Sequence, residues 1–176
     1  MIRLTLFHLV GVFFFAHAAI SQDGHEMYKR EGEVIYGRKY GLALTMDVFQ
    51  PLAKRNNRGI VFAVSGGWFS AQKNIDGIAK RSTWNELIKR GYTLFAVVHG
   101  SQPKFTVPEI RKDMHRALRF IRHNAKVYDI DPEHIGIFGG SAGGHLSLMQ
   151  GTDGLDGDSN ASDPVERQSS KVQAVM

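Results

Sequence analysis

An α/β architecture, a mostly parallel sheet with helices on both faces, is predicted for this chain of 176 residues by three observations. A continuous apolar run at Gly59–Val64 and a second buried-type run at Tyr92–Val98 have the length and composition of strands buried on both faces. Segments with apolar residues at helical spacing alternate with them. Glycine-rich stretches, Ser65-Gly66-Gly67-Trp68 after Gly59–Val64 and Gly139-Gly140-Ser141-Ala142-Gly143 after the β-like run Ile135–Phe138, stand where the carboxyl ends of parallel strands would lie. The alternation implies right-handed strand–helix–strand crossovers, which place both glycine-rich ends on one edge of the sheet.

In chain order, residues 1–20 read as a secretory signal peptide. Arg3 supplies a positive start, Leu4–Phe15 an apolar core, and Ala16-His17-Ala18 a small-x-small cleavage site. The apolar run is short for a membrane span, which needs roughly twenty residues, so no stable insertion is expected after cleavage. The chain is then secreted or periplasmic, with an anchor formed by an uncleaved signal as the rival. Residues 21–32 are polar and read as a flexible lead-in; residues 33–176 form the folded part.

Glu33–Gly37 and Leu42–Phe49 read as a hairpin turning through Arg38-Lys39-Tyr40-Gly41, with glycine where φ can become positive. Pro51 ends the second strand. After the buried strand at 59–64, Thr83 is a candidate cap for a helix through Arg90, closed by Gly91, with Glu86 and Arg90 spaced to pair. The longest helical pattern opens at Pro108-Glu109 and runs to about Lys126. Its apolar face is Ile110, Met114, Ala117, Leu118, Ile121 and Ala125. Asp131-Pro132-Glu133 turns into the strand before Ser141, and a helix follows from Gly144 to about Gln150. Residues 151–170 are rich in Gly, Asp and Ser and read as loop, and Lys171–Met176 looks like the start of a further strand.

Composition narrows the function classes. A net charge of +5 invites a nucleic-acid reading, but Lys and Arg are interleaved with acids and form no basic stripe. The chain has no cysteine, so no disulfide framework or Cys-based metal site is available. No metal or other cofactor is required by any motif found.

The chemistry concentrates at Gly139-x-Ser141-x-Gly143. A serine on a sharp strand-to-helix turn needs neighbours without a Cβ two positions away, and gains an Oγ that stands clear of the sheet at a helix N-terminus. Ser141 is therefore the candidate nucleophile. Gly66, Gly67 and Ala142 are the candidate oxyanion-hole residues through their N–H groups, and Trp68 and His99 are candidate pocket residues. An activated serine also needs a base and an orienting acid. His145, one helical turn on, points along its helix rather than over the serine. His115 and His123 fall in the long helix as half-buried or surface residues, and His134 at the far end of a strand. Asp153, Asp156, Asp158 and Asp163 read as loop solvation or turn caps.

Together, Gly41–Pro51, Ser65–Trp68, Asp131–Ile137 and Gly139–Leu146 resemble the N-terminal part of an α/β-hydrolase of the hormone-sensitive-lipase-like and acetyl-xylan/feruloyl-esterase-like group. The resemblance implies the α/β-hydrolase fold, with its C-terminal strands, acid and histidine lacking a counterpart here. It implies an acyl-enzyme esterase acting on small acyl or aryl esters, carbohydrate-linked ones included. The family's His-Gly-Gly-Gly-Trp stands here as Val64-Ser65-Gly66-Gly67-Trp68. Two other readings stay open: an inactive remnant or binding module, and a serine peptidase of the same fold. No oligomeric state is implied.

Overall fold

In the computed structural model, which describes residues 17–20 and 26–176, the apolar runs assemble into one seven-stranded sheet. Its strands are β1 (His17–Ile20), β2 (Glu26–Lys39), β3 (Leu42–Pro51), β4 (Gly59–Val64), β5 (Thr93–Val98), β6 (Ile135–Gly139) and β7 (Ala174–Val175). They lie in the order β1-β2-β3-β5-β4-β6-β7. Residues 1–16 of the expected signal segment, and 21–25 of the expected lead-in, lie outside the described residues.

The sheet is mixed rather than mostly parallel. β5, β4, β6 and β7 run parallel, whereas β1, β2 and β3 pair antiparallel and β3 meets β5 antiparallel. The physical reason is connectivity. A tight turn can only return its second strand antiparallel, and the hairpin is long enough to supply a broad edge of its own.

The lead-in expectation fails from Glu26 onward, because β2 begins there, seven residues before the expected strand. Tyr28 is buried and meets Phe49 edge to face at 5.1 Å. Arg30 pairs with Asp47 on β3 at 2.5 Å. The stretch reads as polar because its stabilising partners sit on another strand. Its register slips between Glu31 and Val34, where Glu33 takes a φ of 54°.

Side-chain alternation along β4 divides the core. Val61 and Ala63 face one layer with α3 (Val107–His123) and α4 (Ala142–Thr152), where Ile110, Met114, Leu118, Ile121 and Leu146 are buried. Ile60, Phe62 and Val64 face the other layer, covered by α1 (Ile75–Ala79) and α2 (Ser82–Lys89) through Ile75, Ile78, Trp84 and Ile88. A strand covered on both faces has no polar side to show, which is why it reads as an unbroken apolar run.

Helix ends differ in detail from expectation. Thr83 is not the cap of α2; Arg81 holds that position without a side-chain hydrogen bond, and Glu86 approaches Lys89 at 3.6 Å rather than Arg90. Gly91 does close α2, at φ 89°. α3 opens on a capping box, with the Thr106 N–H donating to Glu109 Oε2 at 2.8 Å, and it ends at His123 rather than Lys126.

One face of α3 ties down the long loop. Arg116 reaches Asp163 at 2.6 Å and Glu166 at 2.8 Å, Arg119 reaches Glu166 at 2.5 Å, and Arg111 pairs with Asp153. Asp153 and Asp163 are thus tethers and not merely solvated loop residues, while Asp158 does cap a turn at Asn160 N–H, 2.9 Å away. Among the described residues no helix is long and apolar enough to cross a membrane.

Candidate functional site

Register brings the two glycine-rich ends together. Met46, Val97, Ala63 and Gly139 form one row across β3, β5, β4 and β6. The segments after Ala63 and Gly139 leave the sheet side by side, on the edge expected from the sequence.

At the end of β6 the chain turns into α4 through Ser141, with φ 53° and ψ −122°. This combination is open to glycine but costly for a residue with a Cβ. The flanking glycines are required by contact. A Cβ on Gly139 would stand 2.5 Å from the Gly143 carbonyl, and one on Gly143 would run into the Ala63 carbonyl. Gly140 has open space around it and is under no such demand. Ser141 is exposed, and Ala142 begins α4, so its N–H belongs to the unsatisfied first turn of the helix.

The second glycine-rich end is a two-residue turn. Gly66 N–H donates to Phe69 O at 2.9 Å, and Phe69 N–H returns to Gly66 O at 3.0 Å. Gly67 and Trp68 both have positive φ, 55° and 67°, the signature of a type I′ turn. The Gly66 N–H is consumed by this closure, which removes Gly66 from the expected oxyanion donors. The Gly66 carbonyl points into the turn, so the trans Gly67 N–H points out of it. Gly67 and Ala142 remain as candidate donors.

Polar residues that the sequence reading passed over hold this turn in place. Gln102 Nε2 donates to Gly67 O at 2.6 Å, and Gln102 N–H to Trp68 O at 3.2 Å. Ser70 Oγ donates to Val64 O at 2.5 Å, and Ser101 Oγ to Ser70 O at 3.0 Å. The available signal was their position, since each follows β4 or β5 at the same sheet edge.

Trp68 stands against the elbow, its ring 5.2 Å from the ring of His145 and roughly perpendicular to it. His99 is only 3 % exposed, which makes it a buried support and not an open pocket wall. Its Nδ1 donates to Gly100 O at 2.7 Å, its backbone N–H donates to Ser70 Oγ at 3.1 Å, and its Nε2 has no partner. Among the described residues no histidine side chain hydrogen-bonds Ser141. His145 is exposed on the first turn of α4, and His134 pairs with Asp131 at 2.7 Å at the opposite end of β6. His115 is buried, with Nδ1 2.9 Å from Ser170 Oγ and 3.1 Å from Gln150 Nε2. No group of three or more His, Asp or Glu side chains among the described residues is placed to hold a metal ion.

Burial holds both His99 and His115 below the usual imidazole value, and for His115 the nearby Arg111 and Arg119 add to the effect against Asp153 and Glu166. The unfolded chain takes up these protons near pH 6.5, whereas the folded chain resists them. Their contribution to stability is therefore complete above about pH 6.5 and falls as pH drops below it, by at most about 1.4 kcal/mol per pH unit for each group. Urea unfolding midpoints at pH 7.5 and 5.5 should show the fall, and His115→Gln should flatten part of it. Equal midpoints at both pH values would mean that neither imidazole is buried neutral.

A family model described as BD-FAE matches residues 46–176. A probable carboxylic ester hydrolase, LipM, of Mycobacterium tuberculosis is 32% identical over 125 residues, covering 69% of this chain and 28% of its own length. An acetylxylan esterase of Xylanibacter ruminicola is 38% identical over 101 residues, covering 55% of this chain and 19% of its own length. Among solved structures, a truncated carbohydrate esterase from gut microbiota superposes with a TM-score of 0.70 at 27% identity, over 89% of this chain and 57% of that one. An acetyl ester-xyloside bifunctional hydrolase from Caldicellulosiruptor lactoaceticus gives 0.69 at 25% identity, over 81% and 54%. The chain thus spans about half of these solved structures and less than a third of these two curated relatives.

Proposed function

The chain belongs to the BD-FAE family of α/β-hydrolase esterases, and from that premise we propose that it forms the nucleophile-bearing part of a serine ester hydrolase. Its substrates are small acyl or aryl esters, carbohydrate-linked ones among them. The observation that carries this reading is the strained, exposed Ser141 locked between Gly139 and Gly143 at the start of α4.

In this mechanism Ser141 Oγ attacks the acyl carbon and gives its proton to a base. The carbonyl oxygen becomes an oxyanion and accepts from the N–H groups of Ala142 and Gly67. Each such donor is worth about 3–4 kcal/mol in the transition state. Collapse expels the alcohol, which takes the proton back from the base, and leaves an acyl group on Ser141. Water then gives a proton to the base and attacks the acyl carbon, the bond to Ser141 Oγ breaks, the carboxylic acid leaves, and Oγ regains its proton. No described histidine fills the role of base, so the base and its orienting acid are assigned to the part of the relatives' length that this chain does not span. Trp68 walls the acyl side of the site.

Gly67 presents its N–H only while the turn keeps its shape, and the bonds from Gln102 support that shape. Residues 1–20 are read as an export signal, which would place the mature enzyme outside the cytoplasm. A fluorophosphonate probe on the full-length folded protein should label Ser141, and the intact mass of the labelled protein should start near Ala19. Folded full-length protein that takes no label would overturn the esterase reading.

A further inference from the structure

A concave site lies away from Ser141. A cleft of about 630 Å³ opens between the β2–β3 hairpin and the first half of α3, with the loop at Asp163 and Glu166 closing its far end. It shares the functional edge of the sheet, because Met46 on β3 is level with Gly139 on β6 and the hairpin tip projects beyond it. From β3 to β6 is three strand spacings, roughly 14 Å.

The walls of the cleft are rigid and charge-balanced. Lys39 Nζ is 2.6 Å from Asp113 Oδ2 and lies 3.8 Å from the centre of the Phe105 ring. Arg116 is shared between Asp163 and Glu166. Fixed cations are thus answered by fixed carboxylates, and those carboxylates oppose an anionic guest. Arg38 and Lys112 form no ion pair with a described residue and are exposed, so their N–H groups are free to donate to a ligand.

The unusual member is Tyr40. It is 77 % exposed and lies at φ 45°, where an aromatic residue is strained. The two-residue turn Tyr40-Gly41 needs positive φ at both positions, which asparagine supplies at far lower cost. Tyrosine here gives up local stability to hold a ring at the cleft mouth. One face of that ring lies over Phe105, with centroids 6.0 Å apart and planes 26° apart, which fixes its orientation and leaves the other face open.

An open aromatic face beside unpaired donors and balanced charge suits a neutral ligand with one apolar face and a rim of hydroxyls. A pyranose ring has that form: its axial C–H groups lie on the aromatic face, and its equatorial hydroxyls meet charged side chains at the edge. We propose that this cleft is a saccharide-binding subsite, with Tyr40 as its platform and Arg38, Lys112 and the free Glu109 oxygen as hydroxyl partners. It deepens the esterase reading by giving a carbohydrate-linked ester a second hold several sugar units from the scissile bond. The binding itself does not depend on catalysis.

The test titrates the full-length protein with xylohexaose, which carries no ester, by isothermal calorimetry. Binding is expected, and Tyr40→Asn should weaken it about tenfold. Because asparagine tolerates this turn, the thermal midpoint should hold or rise, which separates lost binding from misfolding. Tyr40→Phe should stay within about twofold of wild type, since the stacking face is kept. No binding of the hexasaccharide by the wild-type protein, or equal affinity in Tyr40→Asn, would overturn the proposal; so would a heat of binding with inorganic phosphate alone. Xylohexaose binding in a protein whose Ser141 resists the fluorophosphonate would retain this site and remove the esterase reading.

Discussion

Ser141→Gly is expected to abolish ester hydrolysis and raise the thermal midpoint in the same protein. Removing the nucleophile from a relay that acts as a unit costs on the order of 10⁴–10⁶ in kcat. The stability gain has a separate cause. Ser141 sits at φ 53° and ψ −122°, and holding a Cβ in such a conformation costs about 1–3 kcal/mol. Glycine adopts it freely but gives back roughly 0.5–1 kcal/mol in unfolded-chain entropy. The net is about 1 kcal/mol, or roughly 2–4 °C in a domain of 150–250 residues. Ser141→Ala separates the two effects, because it removes the hydroxyl but keeps the Cβ. It should be as inactive as glycine and close to wild type in midpoint. Calorimetric scans of the three full-length proteins, with 4-nitrophenyl acetate turnover alongside, decide the matter. Equal midpoints for the alanine and glycine variants would show that no strain is stored at the elbow. Turnover within about tenfold of wild type in either variant would remove Ser141 as nucleophile.

The parts of the fold legible in the sequence were those governed by local pattern. β4 and β5 announced themselves because both faces are buried, and α3 because Ile110, Met114, Leu118 and Ile121 keep one stripe against the sheet. The elbow was legible because its glycines answer a steric demand that no other residue meets, shown by the clash a Cβ on Gly139 or Gly143 would make.

What escaped was set by partners distant in sequence. Glu26–Gly32 looks like a solvated lead-in until Asp47 is placed beside Arg30. The arginines of α3 look like a solvated face until the loop at Asp153–Glu166 is laid across them. At the candidate site, Gly66 and Gly67 are identical in composition. Only the turn closed with Phe69 separates the N–H that is consumed from the one that points outward. His115 carries no mark of burial in a helix rich in charge, and Ser170 and Gln150 come to it from other segments.

Asp47→Ala is the substitution expected to cost the most stability. Asp47 lies in the middle of β3 with no exposure, a place where an unpaired carboxylate would be untenable. It accepts from Arg30 Nε at 2.7 Å, from the Glu33 N–H at 2.9 Å, and from Gln72 Nε2. Arg30 in turn reaches Asp76 at the start of α1, at 2.6 Å. One carboxylate thus joins the bulge of β2, the sheet and the segment that leads into α1. Alanine would remove the acceptor and leave a guanidinium, a backbone N–H and an amide without their partner, at a cost of about 3–5 kcal/mol. Arg30 keeps Asp76 and a quarter of its side-chain exposure, 24%, which favours the lower end of that range. Asp47→Asn keeps one acceptor oxygen and should lose less. Replacing both charges, as Arg30→Met with Asp47→Leu, should recover part of the loss, because no orphaned cation is left behind. Urea unfolding with an unchanged m-value would read these differences as stability alone. A loss under about 1 kcal/mol for Asp47→Ala would place the carboxylate among weak, water-screened surface pairs. Burial of the early part of β2 would then rest on Tyr28 against Phe49 and on the strand ladder, not on charge.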